Sequence, residues 1–160
     1  MKFSAQEEYG LRCLLQIARP GPQGSLTIPE IAAAEGLSVP YVAKLVRILR
    51  QGGFVKSTRG QSGGYALSFA PDAILVADVL AVLGGRLFES DHCERYPGAV
   101  PLCTHNVDCS IRALWGAVQN GVDQVLGHIT LQTLLSEQDK NAPVTPLVQI
   151  GGAQNVTSAV

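Results

Sequence analysis

The sequence lacks any apolar run near the roughly 18 residues that a membrane-spanning helix needs. Glu7 and Glu8 stand where a secretion signal requires an apolar core, so we expect a cytoplasmic protein that does not associate with membranes. No Walker-type phosphate loop, GxSxG or HExxH motif occurs, and the sequence therefore does not predict an enzyme. With 46% hydrophobic and 16% charged residues among 160, the chain is predicted to be ordered, with about one domain.

The formal net charge is only -1, which taken alone disfavours a nucleic-acid binder. The charges are segregated, however: residues 1–65 carry a net charge of +4 and residues 66–160 a net charge of -5. No acidic residue occurs between Ser38 and Gly60, a tract that holds five basic residues. A sign difference between the halves of a chain indicates a nucleic-acid surface on the basic half.

The basic half begins with three predicted helices. Apolar spacing predicts the first over residues 5–19, and Thr27 with Glu30 forms a capping-box pattern for a second that ends before Gly36. Ser38 is expected to cap a third helix over residues 39–51, which buries Val42, Leu45, Val46 and Leu49. Two short helices joined by a glycine-containing turn are typical of a helix-turn-helix, whose second helix enters the DNA major groove.

A glycine-rich hairpin is predicted directly after the third helix, with strands over residues 54–58 and 65–68 and a tight turn at 59–64. A helix-turn-helix followed by such a hairpin is a winged helix. The glycines allow the backbone at the tip to pass close to phosphates. The predicted DNA contacts are the residues at the start of the third helix and the basic residues of that helix and the wing: Ser38, Pro40, Tyr41, Lys44, Arg47, Lys56 and Arg59.

Downstream, the pattern predicts a helix over residues 71–83 and then, from Ser110, one long helix of about 25 residues. The long helix has more apolar surface than one small core covers, which favours dimerisation, because winged-helix proteins usually bind two half-sites as twofold dimers. The predicted fold is mainly α with a small β-hairpin. Its parts are a winged-helix domain at 1–87, a cysteine-rich loop at 88–109, a dimerisation helix at 110–138 and a flexible tail at 139–160.

The loop at 88–109 holds three of the four cysteines, Cys93, Cys103 and Cys109, in the pattern C-x9-C-x5-C. Thiolates select zinc, Cu(I) or iron–sulfur clusters, and His92 and His105 make a Cys3His set chemically possible. A metal-free thiol switch is a further interpretation, whereas a small enzyme or metal carrier is disfavoured because no general base accompanies the cysteines. The fourth cysteine, Cys13, lies among leucines and is predicted to be a buried apolar residue.

Residues 1–138 resemble the IscR/NsrR type of bacterial transcription regulators, the Rrf-two superfamily. The resemblance is most specific in LVRILRQGGFVKSTRGQSGGYAL and in the three cysteines that follow the fourth helix. It implies a homodimeric regulator that binds a double-stranded DNA operator. It also implies an iron–sulfur cluster, with [2Fe–2S] preferred over [4Fe–4S], that senses iron–sulfur status, redox state or nitric oxide.

The resemblance implies Cys93, Cys103 and Cys109 as the cluster ligands. The IscR type has its fourth ligand, a histidine, three residues after the last cysteine, where this chain has Arg112, and arginine cannot ligate. Other members use an acidic residue of the first helix, donated by the partner subunit, and the matching residue here is Glu8. Glu8 is therefore the preferred fourth ligand and His105 the second choice.

Overall fold

The computed structural model describes residues 4–60, 63–86 and 109–140. Within these ranges the chain is mainly helical, with six α-helices and one antiparallel hairpin. In this part of the chain, no helix is both long and apolar enough to cross a bilayer. The elements, in chain order, are α1 (Ala5–Ala18), α2 (Ile28–Glu35), α3 (Val39–Gln51), β1 (Val55–Thr58), β2 (Gly64–Leu67), α4 (Val76–Gly84), α5 (Ser110–Leu126) and α6 (Leu131–Lys140).

The turn between α2 and α3 is built from local capping interactions. The predicted capping box is confirmed: the Thr27 N–H donates to Glu30 over 2.7 Å and the Thr27 hydroxyl accepts from the Glu30 N–H. Gly36 ends α2 with a φ of +65°, a conformation that glycine adopts without steric cost. Ser38 is the N-cap of α3 as predicted, but its hydroxyl makes no capping hydrogen bond.

The core lies between α1, α2, α3 and α4. The four α3 residues predicted to be buried are fully inaccessible, and they pack with Leu14, Ile17 and Ile31. Cys13 is also completely buried, as predicted. Burial raises the pKa of its thiol to about 11, so this cysteine behaves as a small apolar core residue.

The wing is confirmed as an antiparallel hairpin in which Val55 pairs with Leu67 and Thr58 pairs with Gly64. Its strands differ from the predicted bounds by one residue, and residues 61–62 of the tip lie outside the described residues. Tyr65 also pairs with Leu26, through hydrogen bonds of 3.0 and 2.8 Å. These bonds attach the wing to the segment before α2 and fix its position beside the helix-turn-helix.

The helix predicted over residues 71–83 is divided in the structure. A 3₁₀ turn covers Pro71–Ala73, Ile74 adopts an extended conformation (φ -103°, ψ 110°), and α4 begins only at Val76. The extended residues form a bridge in which Leu75 pairs with Thr130. Helical periodicity does not reveal this interruption, because its cause is a partner 55 positions further along the chain.

The single long helix predicted from Ser110 is wrong in its continuity. Helix α5 ends at Leu126, Gly127 caps it, and a turn leads to α6. The turn is held by two backbone hydrogen bonds of 2.9 Å, from Val76 to Ile129 and from Leu131 to Ile74. Leu131 is fully buried in the winged-helix core, so α6 packs on that domain instead of extending the helix.

Candidate nucleic-acid interface and sensing residues

The predicted DNA-contact residues of α3 lie on the surface of the helix opposite its buried face. Ser38, Pro40, Lys44 and Arg47 are exposed, and Tyr41 is half-buried. The burial of Val42, Leu45, Val46 and Leu49 requires this orientation, because residues three and four apart share a helical face. With Arg50, which is also exposed, α3 therefore presents three cations and the polar N-terminus of the helix to solvent.

The wing extends this basic surface. Lys56 on β1 and Arg59 just beyond it are exposed, whereas Val55, the first residue of β1, is buried. Gly60 has a φ of +125°, which is strongly disfavoured for other residues. Among the described residues, neither of the two ion pairs involves a cation of α3 or the wing. Lys44, Arg47, Arg50, Lys56 and Arg59 thus keep their charge available for phosphates.

A network on α1 holds the start of α3, and sequence reasoning missed it. Arg12 Nε donates to Glu35 over 2.6 Å and Gln16 Nε2 donates to the same carboxylate over 2.5 Å. The Arg12 guanidinium lies 5.5 Å from the centre of the Tyr9 ring, which makes an edge contact with Tyr41 at 6.2 Å. The network joins α1 to the end of α2 and to the start of α3, the predicted DNA-recognition helix. No local signal reveals it, because its residues are distant in sequence.

Glu8, the preferred fourth cluster ligand, is exposed in the first turns of α1. It is four residues before Arg12 and thus lies on the same helical face. Hydrogen bonding and charge from Glu35 raise the pKa of Arg12, with a smaller contribution from Glu8. A carboxylate at Glu8 is therefore open to a ligand or a partner subunit, and it neighbours the network that contacts Tyr41.

Of the predicted ligand cysteines, the structure places only Cys109, whereas Cys93, Cys103 and His105 lie outside the described residues. Cys109 is the N-cap of α5 and is half-buried, and its Sγ accepts a hydrogen bond from the Arg112 N–H at 3.4 Å. Within the described ranges no three or more His, Cys, Asp or Glu side chains form a metal-binding group. The donors that are placed are the half-buried Cys109 thiol and the exposed Glu8 carboxylate, and thiolates are the ligands by which proteins hold iron–sulfur clusters.

Helix α5 carries an apolar stripe that the described part of the chain does not cover. Ile111, Leu114, Trp115 and Val125 are 64, 57, 49 and 41% exposed, and their spacing places them on one face. The opposite face contacts the winged helix: Gln119 is buried and donates to Asp123 at 2.9 Å, and Asp123 pairs with Arg86. The predicted dimerisation surface is therefore confined to α5, because α6 packs on the winged-helix core.

Comparison with known proteins identifies relatives that align with almost the whole chain. The model of the Rrf2 family, described as an iron-dependent transcriptional regulator, matches residues 3–137. Protein rrf2 of Nitratidesulfovibrio vulgaris is 34% identical over 86% of this chain and 89% of its own length. The structure of IscR from T. potens has a TM-score of 0.69 at 30% identity, covering 91% of this chain and 93% of that one.

A second solved relative has a different regulatory description. The structure of CymR, the global cysteine regulator of B. subtilis, has a TM-score of 0.63 at 32% identity. The match covers 85% of this chain and 97% of that chain. The chain is therefore similar both to IscR and to a regulator of cysteine. The fold alone does not identify the signal to which this protein responds.

Proposed function

This chain belongs to the Rrf2 family of transcriptional regulators, and from that premise we propose that it is a homodimer that binds a specific DNA operator through α3 and the wing. It is not an enzyme, in keeping with its regulator relatives. The observation that carries the proposal is the exposed basic surface of α3 and the wing, whose cations have no ion-pair partner among the described residues. Helix α3 would occupy the major groove and the wing would contact the flanking backbone.

Dimerisation would use the apolar stripe of α5. Exposure of such an apolar stripe to water is unfavourable, and in a twofold dimer the same helix of the second subunit would cover it. Because α5 packs on α4 through its other face, dimerisation would fix the separation of the two recognition helices. Half-site spacing in the operator follows from that separation.

For sensing, we favour an iron–sulfur cluster, with [2Fe–2S] preferred, bound by Cys93, Cys103 and Cys109, with Glu8 of the partner subunit as fourth ligand. When bound, the cluster would supply sensitivity to oxidants, iron supply or nitric oxide. The supporting geometry is that Cys109 begins α5 and Glu8 is exposed beside Arg12, whose network reaches Tyr41. A ligand set formed by these residues would link the helix that carries the dimer stripe to the helix that binds DNA.

DNA binding is tested with Lys44→Ala/Arg59→Ala and, as a control for charge, Arg19→Ala, which changes an exposed cation at the end of α1, outside α3 and the wing. The probe is a duplex selected from random DNA by the wild-type protein. Each phosphate contact contributes about 0.9 to the slope of log K against log salt, and the proposed dimer carries each residue twice. The double variant therefore removes four cations from the complex, and we expect the slope to fall by about 4 and binding to weaken. Wild-type affinity in the double variant would refute the assigned surface.

The cofactor is tested on anaerobically purified protein with Cys103→Ser and the matched core variant Cys13→Ser. A cluster predicts broad absorption between about 320 and 460 nm, with iron and sulfide, that Cys103→Ser abolishes. Cys13→Ser should retain the absorption, since Cys13 is buried in the core. Colourless protein with stoichiometric zinc would favour a structural zinc site, and metal-free protein would favour a thiol switch; either result contradicts the cluster.

A further inference from the structure

A cavity of about 410 Å³ lies where the end of α1, the base of the wing, the Pro71–Ala73 turn and α6 meet. Its volume is within the range of small-molecule sites in proteins, about 300–1,000 Å³. None of its lining residues belongs to α3 or to the proposed cluster ligands, and Lys56 is the one predicted DNA contact among them. The proposed DNA-binding and sensing functions therefore leave most of this cavity unexplained.

The walls of the cavity are mainly apolar. Ala18 of α1, Leu67 at the end of β2 and Leu135 of α6 contribute aliphatic surface. Phe69 follows the wing and is 60% exposed, which is high for a phenylalanine that lines a cavity. Binding of an apolar group here would remove this aromatic surface from water, a favourable change.

Lys56 of β1 is the one charged residue among the described residues that line the cavity. Its side chain is exposed and takes part in neither of the ion pairs found in the described part of the chain. Ser68 and Gln132 add hydrogen-bonding groups to the lining. Apolar walls with one cation and a few neutral polar groups are complementary to a molecule that has an aliphatic or aromatic body and a single anionic head.

We propose that this cavity is an effector site for a small amphipathic carboxylate, whose apolar body lies against Phe69, Leu67 and Leu135 and whose carboxylate pairs with Lys56. The site joins the wing to α6, and α6 is connected through a short turn to the dimer helix α5. Occupancy would neutralise a wing cation. On the assumption that the proposed DNA surface is correct, it would also weaken operator binding.

The test measures binding of octanoate by calorimetry, with octanamide as the uncharged counterpart of the same shape. We expect one octanoate per subunit with a Kd of about 1 mM or tighter, and binding of octanamide weaker by roughly fivefold. Ala70→Trp, at an exposed lining position, should weaken octanoate at least about tenfold by filling the entrance, whereas Ala33→Trp, an equally large change on α2, should not. Lys56→Gln should remove the preference for octanoate over octanamide.

The proposal is overturned if octanoate shows no saturable binding, if Ala70→Trp leaves its affinity unchanged, or if the amide binds as tightly as the acid. A final arm adds octanoate to the operator complex of the wild-type protein, where we expect a loss of DNA affinity. Ligand binding is measured without DNA, so a failure of the DNA-binding hypothesis would not be confused with a failure of the cavity hypothesis. Octanoate that binds in the cavity without any effect on operator affinity would overturn the effector role.

Discussion

Leu114 and Leu131 both fall within the one long helix predicted from Ser110, yet the structure assigns them to different surfaces. Leu131 is fully buried in the winged-helix core, whereas Leu114 is 57% exposed on α5. Substitution of each by alanine removes the same atoms. The two variants should therefore differ only in the environment from which those atoms are removed.

We predict that Leu131→Ala lowers the free energy of unfolding by about 3 kcal/mol, the lost transfer energy plus the cavity left behind. For a chain of this length, that corresponds to a fall in Tm of roughly 6–12 °C. The dimer dissociation constant should change little while the protein remains native, because Leu131 packs within its own subunit. Urea unfolding and sedimentation equilibrium measure the two quantities separately.

Leu114→Ala should show the opposite pattern. Burial of the exposed part of Leu114 is worth about 1–1.5 kcal/mol in each subunit. Because a twofold interface contains the residue twice, the loss is about 2–3 kcal/mol and the dimer dissociation constant should rise roughly 30- to 140-fold. Equal unfolding midpoints for Leu131→Ala and the wild type, or a dimer that is insensitive to Leu114→Ala, would refute the division of the apolar repeat between core and interface.

Two further predictions concern α1 and its contacts. A methyl group at Gly10 would lie 2.7 Å from Cδ1 of the buried Leu83, so Gly10→Ala should destabilise the fold by about 1 kcal/mol despite the better helix propensity of alanine. The matched variant on α5, Gly116→Ala, has open space around the added methyl group and should stabilise the fold by about 0.5 kcal/mol. Chemical denaturation measures both changes, and stabilisation by Gly10→Ala would contradict the close packing of α1 on α4. The raised pKa of Cys13, about 11, keeps its thiol protonated at pH 8, so Cys13 should react with iodoacetamide only after the protein unfolds. Rapid labelling of Cys13 in the native protein, detected by peptide mass mapping, would contradict its burial in the core.

Local patterns predicted the elements whose determinants are close together in sequence. The Thr27–Glu30 capping box, Gly36 and the apolar spacing of α3 predicted the helix-turn-helix because each interaction joins residues at most a few positions apart. The glycine-rich tract after α3 likewise predicted the wing to within one residue. The basic tract between Ser38 and Gly60 predicted a charged face, and the structure shows its side chains exposed.

The sequence by itself determined the winged helix, the basic surface and the burial of Cys13, since capping, periodicity and composition act locally. Only the tertiary structure decided that the apolar repeat after Ser110 divides at Gly127, because that division depends on pairing of Ile74 and Val76 with residues 129–131. It also decided that Arg12 and Glu35 support Tyr41, and that Lys56 lines a cavity against α6. These features depend on contacts between residues distant in the chain, which neither spacing nor composition specifies.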